Sequence, residues 1–375
     1  MSAITKPLPN RASDSLPSGW AMVAIRDFAR IGTGARDTQD RSAYGGYPFF
    51  VRSRNVERID SWSFDGEAVL TAGDGVGTGK VFHYIKGRFD YHQRVYRISN
   101  FSADVDGRYF YYQFSSNFLA RVESLTAKSS VDSVRMETIA GMKVAIPPIK
   151  EQIAIVEALD DADSVIASLE RMIAKKQAIK QGMMQQLLTG KTRLPGFSNI
   201  WTTCQLGDVL SVRHGKSQRD IETPSGQYPV LATSGEIGRT DTALYSKPSV
   251  LIGRKGTIDR PQYQDSPFWT VDTLFYTEIS HSADPRFMFY IFQTIDWRSM
   301  NEASGVPSLS SRRVESVHCS IPTVDEQVAI RRALDDAVDE VRLLEEKHAK
   351  AKAIKQGMMQ ELLTGRTRLP DGGGV

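Results

Sequence analysis

The sequence predicts an α+β protein in which two related mixed α/β domains alternate with two long helices. Three observations lead to this fold class. A segment near the middle of the chain recurs near its end, both copies have apolar residues at helical spacing, and the stretches before them share turn and core residues. A chain of 375 residues can bury several separate hydrophobic cores.

The repeated segment covers residues 146–195 and 321–370. The first copy begins IPPIKEQIAI and ends QQLLTGKTRLP, and the second begins IPTVDEQVAI and ends QELLTGRTRLP. Of the 50 aligned positions, 31 are identical, at a constant offset of 321 − 146 = 175 residues. An ungapped match of this length indicates an internal duplication, and the period is too long for a solenoid.

Each copy predicts one long helix. Its apolar residues recur at alternating steps of four and three, which forms a narrow stripe suited to a partner helix. This helix seam consists of Ile155, Leu159, Ala162, Ile166, Leu169 and Ile173 in the first copy and Ile330, Leu334, Ala337, Val341, Leu344 and His348 in the second. Prolines near the start of each copy precede the predicted helix, and Gly190 and Gly365 lie where C-terminal caps belong. We expect the helices to pair with each other; packing of each on its own domain is the alternative.

The repeats divide the chain into six segments. These are a flexible N-terminus (1–15), a first domain (16–145), a central helical region (146–195), a second domain (196–320), a C-terminal helical region (321–370) and a tail (371–375). Trp20 matches Trp201, and Gly34 matches Gly215, both at an offset of 181. Because the shared residues are core-like while the loops differ, we expect two related but non-identical recognition surfaces.

Composition and motifs exclude several classes of function. The formal net charge is only +3, so charge alone does not indicate a nucleic-acid-binding protein. Neither a membrane-spanning run nor a secretory signal is present, and two cysteines, interpreted as buried thiols, fit a reducing cytoplasm. Gly73–Lys80 fails the P-loop pattern, and no metal-ligand or nucleophile motif occurs. The pairs Asp160–Asp161 and Asp335–Asp336 are interpreted as a solvated face or a contact for a partner protein.

Polar loop residues of both domains are the candidate DNA-binding residues. Arg and Lys can read guanine O6 and N7, Asn and Gln can read adenine, and others of this set would hold phosphates. The ordinary alternative for any one of them is a charged surface residue. The candidates are Arg52, Arg54, Asn55, Lys80, His83, His92, Gln93, Arg94, Arg213, His214, Lys216, Gln218, Arg219, Arg254, Lys255, Arg312 and Arg313.

The repeated I-P-x-x-x-E-Q-x-A-I start, the seam and the Q-x-L-L-T-G-[KR]-T-R-L-P end resemble the conserved regions of type I restriction-modification specificity subunits. The resemblance covers both helical regions well. In the two domains it is limited to scattered positions, for example Tyr228-Pro229 and 251–256. It implies a non-catalytic, sequence-specific DNA-binding subunit with two target-recognition domains. Each domain would read one half of a bipartite target, and the two helices would lie antiparallel as a coiled coil between the domains.

The resemblance also implies partners and cofactors. Double-stranded DNA, two DNA methyltransferase subunits and restriction-translocase subunits would bind this chain. S-adenosylmethionine, ATP and Mg²⁺ would belong to those subunits, and we expect no cofactor or metal in this chain. The rival interpretation is a protein-interaction scaffold with a dimerising coiled coil.

Overall fold

The computed structural model describes residues 16–125 and 133–369. The predicted flexible N-terminus, Pro370 and the tail from 371 to 375 lie outside the described residues. The chain forms two compact units. Unit 1 contains the residues up to Ser168 together with those from Lys347 onward, and unit 2 contains Leu169–Glu346.

Unit 1 contains a six-stranded sheet with a long helix packed on it. Its elements, in chain order, are β1 (Ala21–Ala24), α1 (Ile25–Phe28), β2 (Arg30–Thr33), β3 (Tyr47–Phe50), β4 (Glu57–Ile59), β5 (Phe64–Ala72), β6 (Phe82–Tyr91), β7 (Val95–Ser99), α2 (Gly107–Leu125), α3 (Met136–Ala140) and β8 (Lys143–Ile146). The strand order in the sheet is β2-β7-β5-β6-β3-β4. Strands β1 and β8 pair separately and antiparallel, which joins the two ends of the domain.

Aromatic side chains attach α2 to this sheet. Phe110, Phe114 and Phe118 recur every four residues and therefore share one face of the helix. Phe114 stacks on both of the others, and Phe82 of β6 meets it edge-on at 5.6 Å between ring centroids. These rings and Val69 of β5 belong to the main core of unit 1.

Unit 2 has the same arrangement of strands and helices as unit 1, except that two smaller sheets replace the single six-stranded sheet. Its elements are β9 (Thr202–Gln205), α5 (Leu206–Val209), β10 (Leu210–His214), β11 (Tyr228–Ala232), β12 (Gly235–Thr240), β13 (Ser249–Gly253), β14 (Gln262–Gln264), β15 (Trp269–Thr270), β16 (Leu274–Ile279), α6 (Pro285–Thr294), α7 (Ser311–Glu315) and β17 (His318–Ile321). The sheets have the orders β10-β16-β13-β14 and β12-β11-β15, and β17 pairs with β9. Helix α6 is the counterpart of α2; Asp284 caps its N-terminus, directly before Pro285.

The repeated segments form two helices, α4 (Ile149–Leu187) and α8 (Val324–Leu362), each 39 residues long. Gly190 and Gly365 follow their ends with φ of +67° and +68°. A side chain in this left-handed conformation would be strained, so glycine is the residue that ends both helices at low cost. The predicted long helices and their caps are confirmed.

In unit 1 the first part of α4 lies beside the last part of α8. Glu151 of α4 pairs with Arg368, just beyond α8, through a fork of two hydrogen bonds at 3.0 and 2.7 Å. Further along α4, Asp163 accepts a hydrogen bond from Lys355 at 2.5 Å. As the residue number on α4 rises from 151 to 163, the number of its partner falls from 368 to 355, so these segments run antiparallel within unit 1.

Unit 2 repeats this arrangement with the other halves of the same helices. Lys176 of α4 pairs with Glu340 of α8 at 2.6 Å. Arg193, just beyond α4, forms a fork of two 2.6 Å hydrogen bonds with the buried Glu326. Glu326 and Arg193 occupy the repeat positions of Glu151 and Arg368, so the duplication extends to the ion pairs.

The helix seam lies largely on the buried side of α4 and α8. Ile155 and Leu159 belong to the core of unit 1, and Ile330 and Leu334 belong to the core of unit 2. The other seam residues are the buried Ile166, Leu169 and Val341 and the partly exposed Ala162, Ile173, Ala337, Leu344 and His348. The core of unit 1 also contains Leu362 of α8. The ends of the seam therefore contribute both to helix contacts and to domain cores.

Two repeated glutamines fix the long helices to their domains. Gln152 is fully buried; its side-chain oxygen accepts a hydrogen bond from the backbone N–H of Asp106 at 2.9 Å. Its amide donates to the carbonyls of Asp104 and Pro147 at 2.7 and 2.8 Å. Gln327 makes the corresponding three bonds in unit 2. The E-Q pair of the repeated motif is thus an intramolecular anchor.

The aspartates of the repeated helices require a correction. Arg108 of α2 donates to Asp160 at 3.0 and 2.8 Å, and Arg286 of α6 donates to Asp335 at 3.0 Å. The interpretation as a solvated face or a contact for a partner protein was therefore wrong for the first aspartate of each pair. Arg108 and Arg286 lie 52 and 49 positions earlier in the chain, so these pairs become visible only when the domain helix packs on the long helix. The second aspartate of each pair is exposed.

Candidate nucleic-acid interface

In unit 1 several strand ends and turns meet at one edge of the domain. A Cβ at Gly34 would lie 1.9 Å from the carbonyl oxygen of Tyr91, so only glycine allows the chain after β2 to pass there. The N–H of His92 donates to the carbonyl of Phe50, and the N–H of Gly73 donates to that of Arg94. We call the residues 34–37, 51–55, 73–75 and 92–94 loop surface 1.

Unit 2 builds the same arrangement with the same backbone contacts. A Cβ at Gly215 would lie 2.0 Å from the carbonyl oxygen of Val271. Val271 N–H donates to Leu231, and Arg254 N–H donates to Thr273. We call the residues 215–219, 232–234, 254–257 and 271–273 loop surface 2. Its backbone contacts match those of loop surface 1, so the two edges are structural equivalents.

Loop surface 1 contains an ion cluster centred on Asp74. Arg52 donates to one carboxylate oxygen of Asp74 at 2.8 Å, and Arg94 donates to the other. Burial opposes ionisation of Asp74, but the hydrogen bonds and charges of Arg94 and Arg52 outweigh it and lower the pKa of Asp74. The carboxylate therefore stays ionised between two guanidinium groups at neutral pH.

The other candidates of the first domain differ in exposure. His92 is only 3% exposed, and its Nδ1 accepts the N–H of Arg94 at 3.0 Å, so its ring supports the turn. The ring of His83 lies against Phe50, and burial lowers its pKa. Gln93 is exposed and donates to Asp37 at 3.0 Å. The remaining candidates Arg54, Asn55 and Lys80 are exposed in loops.

Loop surface 2 is built from different side chains. Lys255 is exposed and forms an isolated bridge with Ser308, as Asp74 does with Ser133 in unit 1. Arg254 donates to the carbonyl of Asp272 at 3.3 Å. Among the other candidates, Arg213 pairs with Glu278, His214 contacts Phe275 edge-on, and Lys216, Gln218, Arg219, Arg312 and Arg313 are exposed or partly exposed.

Asp74 is not among the binding residues predicted from the sequence, although both of its arginine partners, Arg52 and Arg94, are. The only local signal is the Gly73-Asp74-Gly75 triplet directly after a strand, a turn pattern that does not identify its partners. Within the described part of the chain, no group of His, Cys, Asp or Glu side chains is arranged to hold a metal ion. Nor does any described helix have the length and apolarity required to cross a membrane.

Together these features define a class of protein. One chain carries two loop surfaces that share a backbone design and differ in side-chain charge, each fixed to a repeated helix by equivalent glutamine and arginine anchors. A family model described as "Type I restriction modification DNA specificity domain" matches residues 17–181 and 199–353. These two matches cover most of the chain, and the chain belongs to this family, which confirms the resemblance found in the repeats.

Named relatives agree with this assignment. The chain is 25% identical over 402 aligned positions to the type I restriction enzyme EcoDI specificity subunit of Escherichia coli, covering 94% of this chain and 88% of the relative. It is 21% identical to the MjaVIII specificity subunit of Methanocaldococcus jannaschii, covering 94% of both chains.

Solved structures share the fold. The type I restriction-modification S subunit from M. genitalium superposes with a TM-score of 0.69 at 14% identity, covering 95% of this chain and 99% of that one. A second structure, from work on complex assembly and conformational transition of the type I system, gives a TM-score of 0.58 at 16% identity and covers 95% of this chain.

Proposed function

We propose that this chain is the sequence-specific DNA-binding subunit of a type I restriction-modification complex. The observation that carries the proposal is the pair of loop surfaces, equivalent in backbone contacts and different in side chains. A duplicated scaffold with divergent polar loops suits the reading of two different base sequences. The family membership of both domains supports the same function.

In this proposal the target is bipartite. The first target-recognition domain, 16–145, reads one half-site through loop surface 1, and the second, 196–320, reads the other through loop surface 2. The exposed Arg, Lys, Asn and Gln candidates contact base edges and phosphates. The buried His92 shapes its turn, and Arg213, which pairs with Glu278, would have to exchange that partner to reach DNA.

The helical regions 146–195 and 321–370 complete the proposal. Their antiparallel contacts within each unit support pairing along the seam as a coiled coil. We assign docking of two DNA methyltransferase subunits, and of restriction-translocase subunits, to the conserved regions. In this scheme the chain itself performs no catalysis, and S-adenosylmethionine, ATP and Mg²⁺ bind to the partner subunits. The complex works in the cytoplasm.

Domain exchange tests the proposal. The purified complex of this chain with a type I methyltransferase subunit is given genomic DNA and S-adenosylmethionine, and modified positions are sequenced. Replacing residues 16–145 by the equivalent domain of a relative should change one half-site and leave the other intact. Replacing 196–320 should have the reciprocal effect.

Point variants provide a second, finer test. Lys255→Ala on loop surface 2 should weaken binding or relax one half-site, whereas Arg342→Ala is the matched control because this arginine is exposed on α8, outside both loop surfaces. Modification without any sequence pattern, or a simultaneous change of both half-sites on exchange of one domain, would contradict two independent readers. A complex that binds no DNA and self-associates through this chain would favour the scaffold interpretation.

A further inference from the structure

Asp74 occupies a tightly fixed position on loop surface 1. It lies two residues beyond the end of β5, between Gly73 and Gly75. The N–H of Gly73 donates to the carbonyl of Arg94, and its carbonyl accepts the N–H of Val134. Gly75 adopts a φ of +73°, which favours glycine. The backbone of Asp74 is therefore fixed by hydrogen bonds that involve no side chain, which limits the positions that its carboxylate can take.

The two arginines on Asp74 present the same edge to solvent. Each uses its Nη1 for the carboxylate, Arg52 toward Oδ1 and Arg94 toward Oδ2. Among residues 16–125 and 133–369, the Nε–Nη2 edge of neither guanidinium has a hydrogen-bonding partner. The side chains of Arg52 and Arg94 are 45% and 61% exposed, whereas that of Asp74 is 14% exposed. A fixed acidic anchor thus orients two outward-facing donor forks.

The equivalent position of unit 2 has the opposite charge. Lys255 follows β13 at the same distance as Asp74 follows β5, and each forms the isolated bridge to a serine that precedes a short helix. The two related domains therefore differ in charge at one equivalent position, which is the carboxylate of Asp74 in unit 1 and the ammonium group of Lys255 in unit 2. The arginine cluster belongs to the first domain alone.

Resting on the proposed function, we infer that Arg52 and Arg94 read guanine in the half-site recognised by the first domain, with Asp74 as their positioning residue. Guanine offers two acceptors, O6 and N7, in the major groove, and a guanidinium edge with two parallel N–H groups matches them. Adenine offers one acceptor and one donor there, so the same edge leaves a donor facing a donor.

The carboxylate distinguishes base reading from phosphate binding. A phosphate contact is strengthened by unopposed positive charge and would be weakened by an anion between the two arginines. A base edge has no net charge, so it tolerates Asp74 and benefits from the fixed direction of the forks. Two arginines that share one largely buried carboxylate therefore fit a guanine better than a phosphate.

Selection from randomised duplexes tests this inference. The complex of the full chain with a methyltransferase subunit selects DNA from a library in which both half-sites are random, and exchange of residues 16–145 identifies the half-site of the first domain. The wild-type complex should select guanine at one or more positions of that half-site. Asp74→Asn should reduce the preference for guanine over adenine there by about 10- to 100-fold, as expected for loss of a bidentate contact.

The controls separate positioning from folding. The second half-site, selected in the same experiment, should remain unchanged in Asp74→Asn, which shows that the variant folds and assembles. Asp65→Asn is the matched control, because Asp65 pairs with Arg88 near the opposite end of β5. Arg94→Gln removes the guanidinium fork, so it should lose the guanine preference at one position of the first half-site while the second half-site is selected as in the wild type.

A base analogue adds a readout that a purely structural role would not affect. Placing 7-deazaguanine at the selected position removes N7, which should weaken the wild-type complex and leave Asp74→Asn almost unaffected. A first half-site without guanine, or an Asp74→Asn complex with unchanged guanine preference, overturns the inference while the bipartite function stands. If the wild-type complex selects no sequence at all, the proposed function itself fails and this inference with it.

Discussion

Replacing Gln152 by leucine tests whether the repeated glutamines anchor the long helices. Leucine has a similar size but removes three hydrogen bonds, those to the N–H of Asp106 and to the carbonyls of Asp104 and Pro147. A net loss of about 1 kcal/mol per bond gives a decrease of about 3 kcal/mol in the free energy of unfolding of unit 1. With a urea dependence of about 3 kcal/mol per molar, the unfolding midpoint should fall by about 1 M.

Urea titration combined with hydrogen–deuterium exchange measures this effect. The amide of Asp106 donates to Gln152 and should exchange about 100-fold faster in the variant, since 1.4 kcal/mol corresponds to a factor of about ten. Gln177→Leu is the matched control: Gln177 is on the same helix but exposed, and should change the midpoint by less than about 0.2 M. Equal midpoints for the two variants would refute the anchoring role of Gln152.

Three further outcomes are expected. Arg368→Ala leaves the buried Glu151 without its charge partner and should lower the free energy of unfolding by about 3 kcal/mol in urea titrations, more than Arg368→Lys does; equal losses would argue against the fork. Burial raises the pKa of Cys319 to about 12, so alkylation at this thiol should accelerate about tenfold per pH unit between pH 7 and 10, and a plateau below pH 9 would disprove the shift. Gly34→Ala should destabilise the protein by about 3 kcal/mol in thermal unfolding. Gly46→Ala should change the stability hardly at all, because a Cβ added at Gly46 would have no neighbouring atom within 4 Å.

The helical part of the fold was predictable because its signals are local. Apolar spacing, flanking prolines and a glycine after each end define α4 and α8 within a single stretch of sequence. The internal repeat adds an independent copy of every signal. Strand existence was also predictable, but strand order was not: β3 pairs in parallel with β6, a contact between residues about forty positions apart.

The candidate site was predictable in residue type and not in geometry. Arg52 and Arg94 were named for their chemistry, whereas Asp74 became visible only when three loops met. The same limit applies to Asp160, whose partner Arg108 lies 52 positions earlier in the chain. In the sequence, a solvated aspartate cannot be distinguished from one that anchors a helix; the difference appears only when the domain helix packs on the long helix. His92 shows the converse, since a histidine in a turn gave no sign of its burial.

The division of the chain between the two units has a consequence for synthesis on the ribosome. Unit 2 is one continuous stretch, Leu169–Glu346, whereas unit 1 also needs the segment from Lys347 onward, including Leu362 and Leu363 of its core. The domain that emerges first is therefore completed last, and its apolar helix-binding surface stays uncovered while more than 170 residues are translated. Chains that end at residue 346 and are released from the ribosome should contain a protease-resistant unit 2 and a protease-sensitive first domain, reversing the usual order in which N-terminal domains mature.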